Sequence, residues 1–324
     1  VRVNIGYFGS PEISARLLEA LLADPDIRLS FVVSNPDRPK GRSGAPMETP
    51  VSAVAREQEI PLYRYESLKE GRCVEELQAY GCDLFFIFAY GRLLPPSIFN
   101  LPKRGSVNLH ASLLPLLRGA SPIQSAILNG LTRTGWTLQL ITEELDAGDV
   151  LSSVEMEILP DETTAELTER MLPAGIALSL QTLHDFDSYY RKRDSQEHLA
   201  ATFCKKLTTE ISWIDWNGEA QRIHNMIRGM NPWPVARARL NGKMIRILRS
   251  AIPVTPHDDL QKRLDSAPPG RVVVVSDQRI RRLFVKTSTL PLELLEVQPE
   301  NKKAMSANDF INGLRSTEDL LFDY

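Results

Sequence analysis

The chain has 324 residues, 43% hydrophobic and 24% charged, with a formal net charge of −3; these are the proportions of a soluble globular protein long enough for two domains with their own cores. Three cysteines (Cys73, Cys82, Cys204) without Cys-x-x-Cys spacing, and five scattered histidines, exclude a disulfide framework and offer no zinc pattern, so no metal and a reducing, cytoplasmic setting are expected. No apolar run approaches the roughly 20 residues that cross a bilayer, and residues 1–8 run into a strand pattern, so neither a membrane association nor a signal peptide is expected.

Val3 to Phe8 reads as a buried strand. The turn Gly9-Ser10-Pro11-Glu12 opens a helix with Leu17, Leu18, Leu21 and Leu22 on its apolar face, and residues 27–33 form a second strand. This βαβ opening implies a parallel sheet with helices on its faces. The turn lacks Gly-x-Gly-x-x-Gly, which disfavours a nicotinamide enzyme. Residues 35–50 hold four prolines, two glycines and the cations Arg38, Lys40 and Arg42. No regular element is expected there; the segment reads either as a solvated surface loop or as a basic arm for a polyanion.

Helices are expected over residues 51–58 and 66–80, with a short strand at residues 61–63 between them. Asp83 to Phe88 is apolar on both faces, as a central strand is, and exits through Ala89-Tyr90-Gly91-Arg92-Leu93. After the segment around His110 come a helix from Pro122, strands over residues 134–141 and 150–158, and a long helix from Thr163 to about Tyr190, broken at Pro173-Ala174-Gly175. Residues 191–209 are polar and aperiodic, and read as a linker. Beyond them, turns at Asn241-Gly242, Pro268-Pro269-Gly270 and Ser276-Asp277-Gln278 separate short strands that suit a small β-barrel. Trp213, Trp216 and Trp233 are expected in its core, and His224 in a structural role. Basic residues outnumber acidic ones from Lys205 onward, 19 to 14, and are outnumbered before it, 19 to 27. The division is therefore residues 1–190, a linker at 191–209, and 210–324.

The most informative stretch runs from Gly105 to Gln124. Asn108 and His110 lie two apart on an extended segment and so point to one side. One is a fixed amide donor; the other exchanges a proton near neutral pH. Ser112-Leu113-Leu114-Pro115 follows as a rigid turn, and the acidic run Glu143-Glu144-Leu145-Asp146-Ala147-Gly148-Asp149 lies downstream. Taken singly, a strand-end histidine is more often packed than catalytic, Asn108 a turn residue and Asp146 a loop acid. In this order and together they point to chemistry.

Asn108-Leu-His110-Ala-Ser112-Leu-Leu-Pro115, with Leu145-Asp146-Ala147-Gly148-Asp149, resembles the signature of the folate-dependent formyltransferases. Pro36 to Arg42, Ile214-Asp215-Trp216, residues 224–234 and residues 298–306 are similar to the branch of that family acting on methionyl initiator tRNA, and the likeness covers essentially the whole chain. The resemblance implies an α/β fold: a Rossmann-like parallel-sheet formyltransferase domain, then a small OB-like β-barrel that binds tRNA. It implies formyl transfer from 10-formyltetrahydrofolate to the α-amine of methionyl-initiator tRNA by a monomer without a metal. Asn108, His110 and Asp146 match the family's catalytic set. Ser112, Leu113, Leu114 and Pro115 match its folate site, completed by Phe88, Tyr90, Gly91, Leu93 and the backbone of residues 141–145; core packing is the rival reading for Phe88 and Leu93. Arg38, Lys40, Arg42, Lys205 and Lys206 are the expected tRNA contacts. The chain departs from the pattern at Leu116-Leu117, where the family has Arg and an aromatic, and at Ile13, which replaces an aromatic of the methionyl pocket. Transfer to a small amine such as an amino sugar, hydrolysis of 10-formyltetrahydrofolate, and a non-catalytic folate- or tRNA-binding role are the alternatives.

Overall fold

The computed structural model describes residues 2–39, 46–253, 258–277 and 280–323. Contacts divide the chain into two units, one holding Val1–Pro122, Thr134–Met156 and Arg170–Lys205, the other Ile123–Arg133, Glu157–Glu169 and Lys206–Tyr324.

The first unit is built on a seven-stranded sheet. Its elements in chain order are β1 (Val3–Gly9), α1 (Glu12–Ala23), β2 (Ile27–Val33), α2 (Pro50–Glu57), β3 (Leu62–Tyr63), α3 (Gly71–Gln78), β4 (Leu84–Phe88), α4 (Pro96–Phe99) and β5 (Ser106–His110). Along the chain there follow α5 (Pro122–Leu128), all but its first residue counted with the second unit, then β6 (Arg133–Leu140), β7 (Val150–Glu157), α6 (Thr164–His184), whose residues up to Glu169 are also counted there, and α7 (Phe186–Arg191). The strand order is β7-β6-β5-β4-β1-β2-β3. β1 pairs in parallel with β2 and β4, β2 with β3, and β4 with β5. β5 and β6 run antiparallel, with Asn108 opposite Gln139 and His110 opposite Thr137. The sheet is thus mixed, where the βαβ pattern alone suggested a parallel one.

Sequence explains most of this. All five residues of β4 are buried, as its two apolar faces require. In α1, Leu17, Leu18 and Leu21 are fully buried. Thr49 caps α2 by accepting the Ser52 N–H at 3.1 Å, with Pro50 at the first helical position. One expectation fails: α6 runs unbroken from Thr164 to His184 with Pro173 inside it. Its Gly175 lies so close to Trp136 that an added Cβ would sit 2.9 Å from the ring, and the Trp136 indole N–H donates to Met171 O at 2.8 Å. Packing on this tryptophan keeps the helix together where propensity would break it.

The second unit contains α8 (Ala220–Gly229), β8 (Arg237–Leu240), β9 (Lys243–Ala251), α9 (Asp258–Asp265), β10 (Val272–Asp277), β11 (Ile280–Val285), β12 (Leu292–Pro299), β13 (Met305–Ser306), α10 (Ala307–Asn312) and β14 (Phe322–Asp323). The order is β10-β11-β12-β9-β8-β14, with β13 on β12. Asn241 and Gly242, at φ +52° and +74°, make the tight β8–β9 turn. The ends of the sheet meet where Val272 N–H donates to Leu320 O and Phe322 N–H to Gly270 O, both at 2.9 Å. That closure curls the strands into the small barrel, around a core that includes Ile214, Ile247, Leu283, Leu294 and Val297. Trp216 is buried against Phe322. Trp233 is exposed, and Trp213 is half-buried beneath the guanidinium groups of Arg237 and Arg239. Of the three tryptophans expected in this core, only Trp216 is there.

Candidate active site

Asn108 and His110 lie at the carboxyl end of β5, the edge where open α/β sheets place their ligands. The chain order of the strands reverses between β1 and β4. There Asn35 ties three strand exits together, donating from Nδ2 to Ser10 Oγ at 2.8 Å and to Tyr90 O at 2.7 Å.

Asp146 comes to Asn108 and His110 from the loop after β6. Its Oδ1 lies 3.5 Å from Asn108 Nδ2 and 3.7 Å from His110 Nδ1. Three features fix this carboxylate, whose side chain is 10% exposed. Gly119 N–H donates to Oδ2 at 2.9 Å, Gln139 Nε2 donates to Oδ1 at 2.9 Å, and the Asp146 backbone is left-handed at φ +52°. Gly148 lets the loop close: an added Cβ would lie 1.9 Å from Leu140 O. His110 is 5% exposed, and its Nε2 is 2.9 Å from Leu117 O. A carbonyl only accepts, so Nε2 carries the hydrogen and Nδ1 is the nitrogen that faces Asp146.

The turn after His110 is held from within. Ser112 Oγ donates to Leu116 O at 2.6 Å, Thr137 Oγ1 donates to Ser112 O at 2.7 Å, and Leu114 N–H donates back to Thr137 Oγ1 at 3.1 Å. The Leu114-Pro115 bond is cis. Leu113, Leu114 and Pro115 are half-buried. Leu116 is exposed; Leu117 is buried at φ +57° and supplies the carbonyl that His110 uses. At the neighbouring strand exit, Gly91 and Leu93 are exposed, whereas Phe88 and Tyr90 are core residues. Phe88 meets Trp136 edge-on, Tyr90 meets Phe8, and burial raises the Tyr90 hydroxyl above the ordinary tyrosine range. A cleft of about 460 Å³ borders the Asp146 loop, lined by Ser106, Ile141, Thr142, Gly148 and Tyr190 among others.

Of the cationic residues singled out in the sequence, Arg38 is exposed on a two-residue antiparallel pairing with Met47. Lys40 and Arg42 lie outside the described residues. Lys205 and Lys206 are exposed, immediately after Phe203–Cys204, which pairs in parallel with Arg118–Gly119. Part of the segment read as a linker therefore belongs to the rim of the site. Among the described residues, the one grouping of metal-ligating side chains is Asp24, Asp26 and His184, none of which is among the residues around Asp146.

Sequence reasoning missed three polar residues beside Asp146: Gln139, Gln196 and Arg118, all less than a tenth exposed. Thr137 and Gln139 repeat on β6 the two-residue spacing of Asn108 and His110 on β5, a signal that could have been read. Arg118 and Gln196 carry no such pattern.

A family model described as formyl transferase matches residues 3–183, and a second, for the formyl transferase C-terminal domain, matches residues 206–315. The methionyl-tRNA formyltransferase of Leptospira interrogans is 40% identical over 98% of both chains. This chain belongs to the methionyl-tRNA formyltransferase family. Another methionyl-tRNA formyltransferase, from Solibacter usitatus, is 37% identical over 98% of this chain and 97% of its own. The fold extends to more distant proteins. HypX from Aquifex aeolicus, solved with tetrahydrofolic acid, superposes with a TM-score of 0.62 at 16% identity. It covers 96% of this chain, which spans 46% of HypX. As a methionyl-tRNA formyltransferase family member the chain is a formyl-transferring enzyme, with the two matched domains one after the other along it.

Proposed function

We propose that the protein transfers the formyl group of 10-formyltetrahydrofolate to the α-amine of methionyl-initiator tRNA, with Asn108, His110 and Asp146 as its reacting residues. The observation that carries this reading is the convergence of one amide, one imidazole and one pinned carboxylate at the end of β5, in a chain related to these enzymes over its full length. The amine attacks the formyl carbon, a C–N bond forms, and the carbonyl oxygen becomes an oxyanion. Asn108 Nδ2 has two hydrogens; one is directed at Asp146, and the other serves the oxyanion, a contact typically worth about 3 kcal/mol of barrier. His110 Nδ1 takes the amine's proton, and Asp146 Oδ1 stabilises the ring while it is charged. As the intermediate collapses, the bond from carbon to N10 of the folate breaks and that nitrogen receives the proton. No step calls for a metal. Ser112 to Pro115 and the exit of β4 hold the folate, while Arg38, Lys40, Arg42, Lys205 and Lys206 hold tRNA phosphates.

The test is a product assay with purified protein, 10-formyltetrahydrofolate and charged initiator tRNA, which is expected to yield formylmethionyl-tRNA. Formate release indifferent to tRNA would point instead to a hydrolase, and formylation of an amino sugar in preference to tRNA to the small-amine reading. Replacing Lys205 and Lys206 by Glu should raise the KM for tRNA and flatten its salt dependence, with the KM for folate unchanged.

A further inference from the structure

The proposed function depends on Asp146, and a chain of side-chain bonds leads to that carboxylate from a buried cation. Arg118 is 1% exposed. Its Nε and Nη2 donate to Gln196 Oε1 at 3.1 and 2.7 Å. A guanidinium offers donors only, so it dictates the sense of the Gln196 amide: oxygen toward Arg118, nitrogen away. That nitrogen lies 2.9 Å from Asp146 O, 2.7 Å from Gly148 O and 3.2 Å from Gln139 Oε1. Because Gln139 presents its oxygen to Gln196, its own nitrogen is the atom turned to Asp146 Oδ1, at 2.9 Å. Every link runs from donor to acceptor, from Arg118 through Gln196 and Gln139 to Asp146. The last acceptor, Oδ1, is the oxygen that faces Asn108 Nδ2 and His110 Nδ1.

We infer that Arg118 and Gln196 are positioning residues for the formyl transfer, setting the direction of the hydrogen bonds that fix Asp146. The geometry argues against an anion site at Arg118. Its Nε and Nη2 are engaged by Gln196, Nη1 reaches Glu144 Oε1 at 3.4 Å, and Nη2 also reaches His198 Nδ1 at 3.2 Å. A buried guanidinium is costly unless fully bonded, and here its bonds to Gln196 lead on through Gln139 to the Asp146 carboxylate. Gln196 also stitches two carbonyls of the loop that holds Asp146 in its left-handed backbone. Reversing one amide would bring oxygen against oxygen at both.

The inference rests on the function proposed above, and its test separates the two. Gln196→Glu keeps the shape and still accepts from Arg118, but has no N–H for Asp146 O and Gly148 O. Its kcat is expected to fall on the order of 10²-fold, as misplaced reacting groups cost, with KM for folate and for tRNA within about twofold. Combined with Asp146→Asn, it should be no slower than Asp146→Asn alone, because both act through one carboxylate. Unchanged kcat in a folded Gln196→Glu protein, or losses that multiply in the double variant, would overturn the inference. If melting shows Gln196→Glu unfolded, Arg118→Lys keeps the buried cation while losing the forked grip, and is held to the same KM pattern and the same double-variant criterion. A wild-type protein that makes no formylmethionyl-tRNA would remove the functional reading; an active wild type with an indifferent Gln196→Glu removes only this one.

Discussion

His110 and His224 share a local setting and differ in what surrounds it. They are 5% and 3% exposed, and each directs Nε2 at a backbone carbonyl, Leu117 O at 2.9 Å and Pro160 O at 3.2 Å. Each has a carboxylate oxygen nearby, Asp146 at 3.7 Å and Asp161 at 3.3 Å. At His224 the second nitrogen, Nδ1, meets Ser250 Oγ at 2.9 Å, and the Asp161 side chain is 75% exposed. At His110 the second nitrogen faces the carboxylate itself, which is only 10% exposed and is held by Gly119 and Gln139. On the function proposed above, burial beside an acid is therefore a poor mark of a working histidine. The better mark is a ring nitrogen turned toward an acid whose own position is over-determined, since proton transfer depends on placement before it depends on pKa.

Removing each ring is the strongest way to break this contrast. His110→Ala and Asp146→Asn are each expected to lower kcat/KM by about 10³-fold, within the usual range for a lost proton-transfer group, while the melting temperature changes little. His224→Ala should do the opposite: kcat at a permissive temperature within about threefold of wild type, and a lower melting temperature, because Ser250 and Pro160 lose a buried partner. A His224→Ala protein as crippled in kcat as His110→Ala would erase the distinction.

A smaller loss should follow from moving the acid without changing it. A methyl group at Gly148 would sit 1.9 Å from Leu140 O, a backbone atom with little room to give. Gly148→Ala should therefore shift the Asp146 loop and lower kcat by roughly 10- to 100-fold, in the range that small misplacements cost. Activity close to wild type would show that the placement of Asp146 is less demanding than its contacts suggest.

The same contrast marks how far the sequence could be read. Asn108 and His110 were legible as a pair because strand periodicity puts residues two apart on one side. The β8–β9 hairpin was legible at Asn241-Gly242 because few dipeptides tolerate its positive φ angles. Asp146 was legible through resemblance, since nothing local brings it 38 positions back to Asn108. Arg118 and Gln196 were not, because they are 78 positions apart and neither carries a local pattern that points to the other. Trp233 was misplaced because an aromatic in an apolar stretch gives no sign of which way it faces; its exposure is settled by tertiary packing. The antiparallel β5–β6 pairing escaped for a related reason: apolar periodicity shows that a strand is buried, not the direction in which it runs.

The smallest effect concerns pH, and it sharpens the comparison from the side of His224. Burial holds its imidazole below the ordinary value of 6.5, and the Arg228 charge adds to this, while Pro160 O and Asp161 pull the other way. The folded state therefore binds this proton less readily than the unfolded chain does. As pH falls through 6.5 the unfolded chain takes up the proton first, so stability that is complete above 6.5 declines below it, and the decline ends once the folded form is also protonated. The melting temperature should drop between pH 7.5 and pH 5.5, a window in which few carboxylates titrate. His224→Gln keeps an N–H for Pro160 O and an acceptor for Ser250 but cannot take up a proton. The difference between its melting profile and that of wild type isolates this one ring from every other titrating group. Parallel profiles would mean that His224 binds its proton equally in both states, and the contrast with His110 would then rest on hydrogen-bond geometry alone.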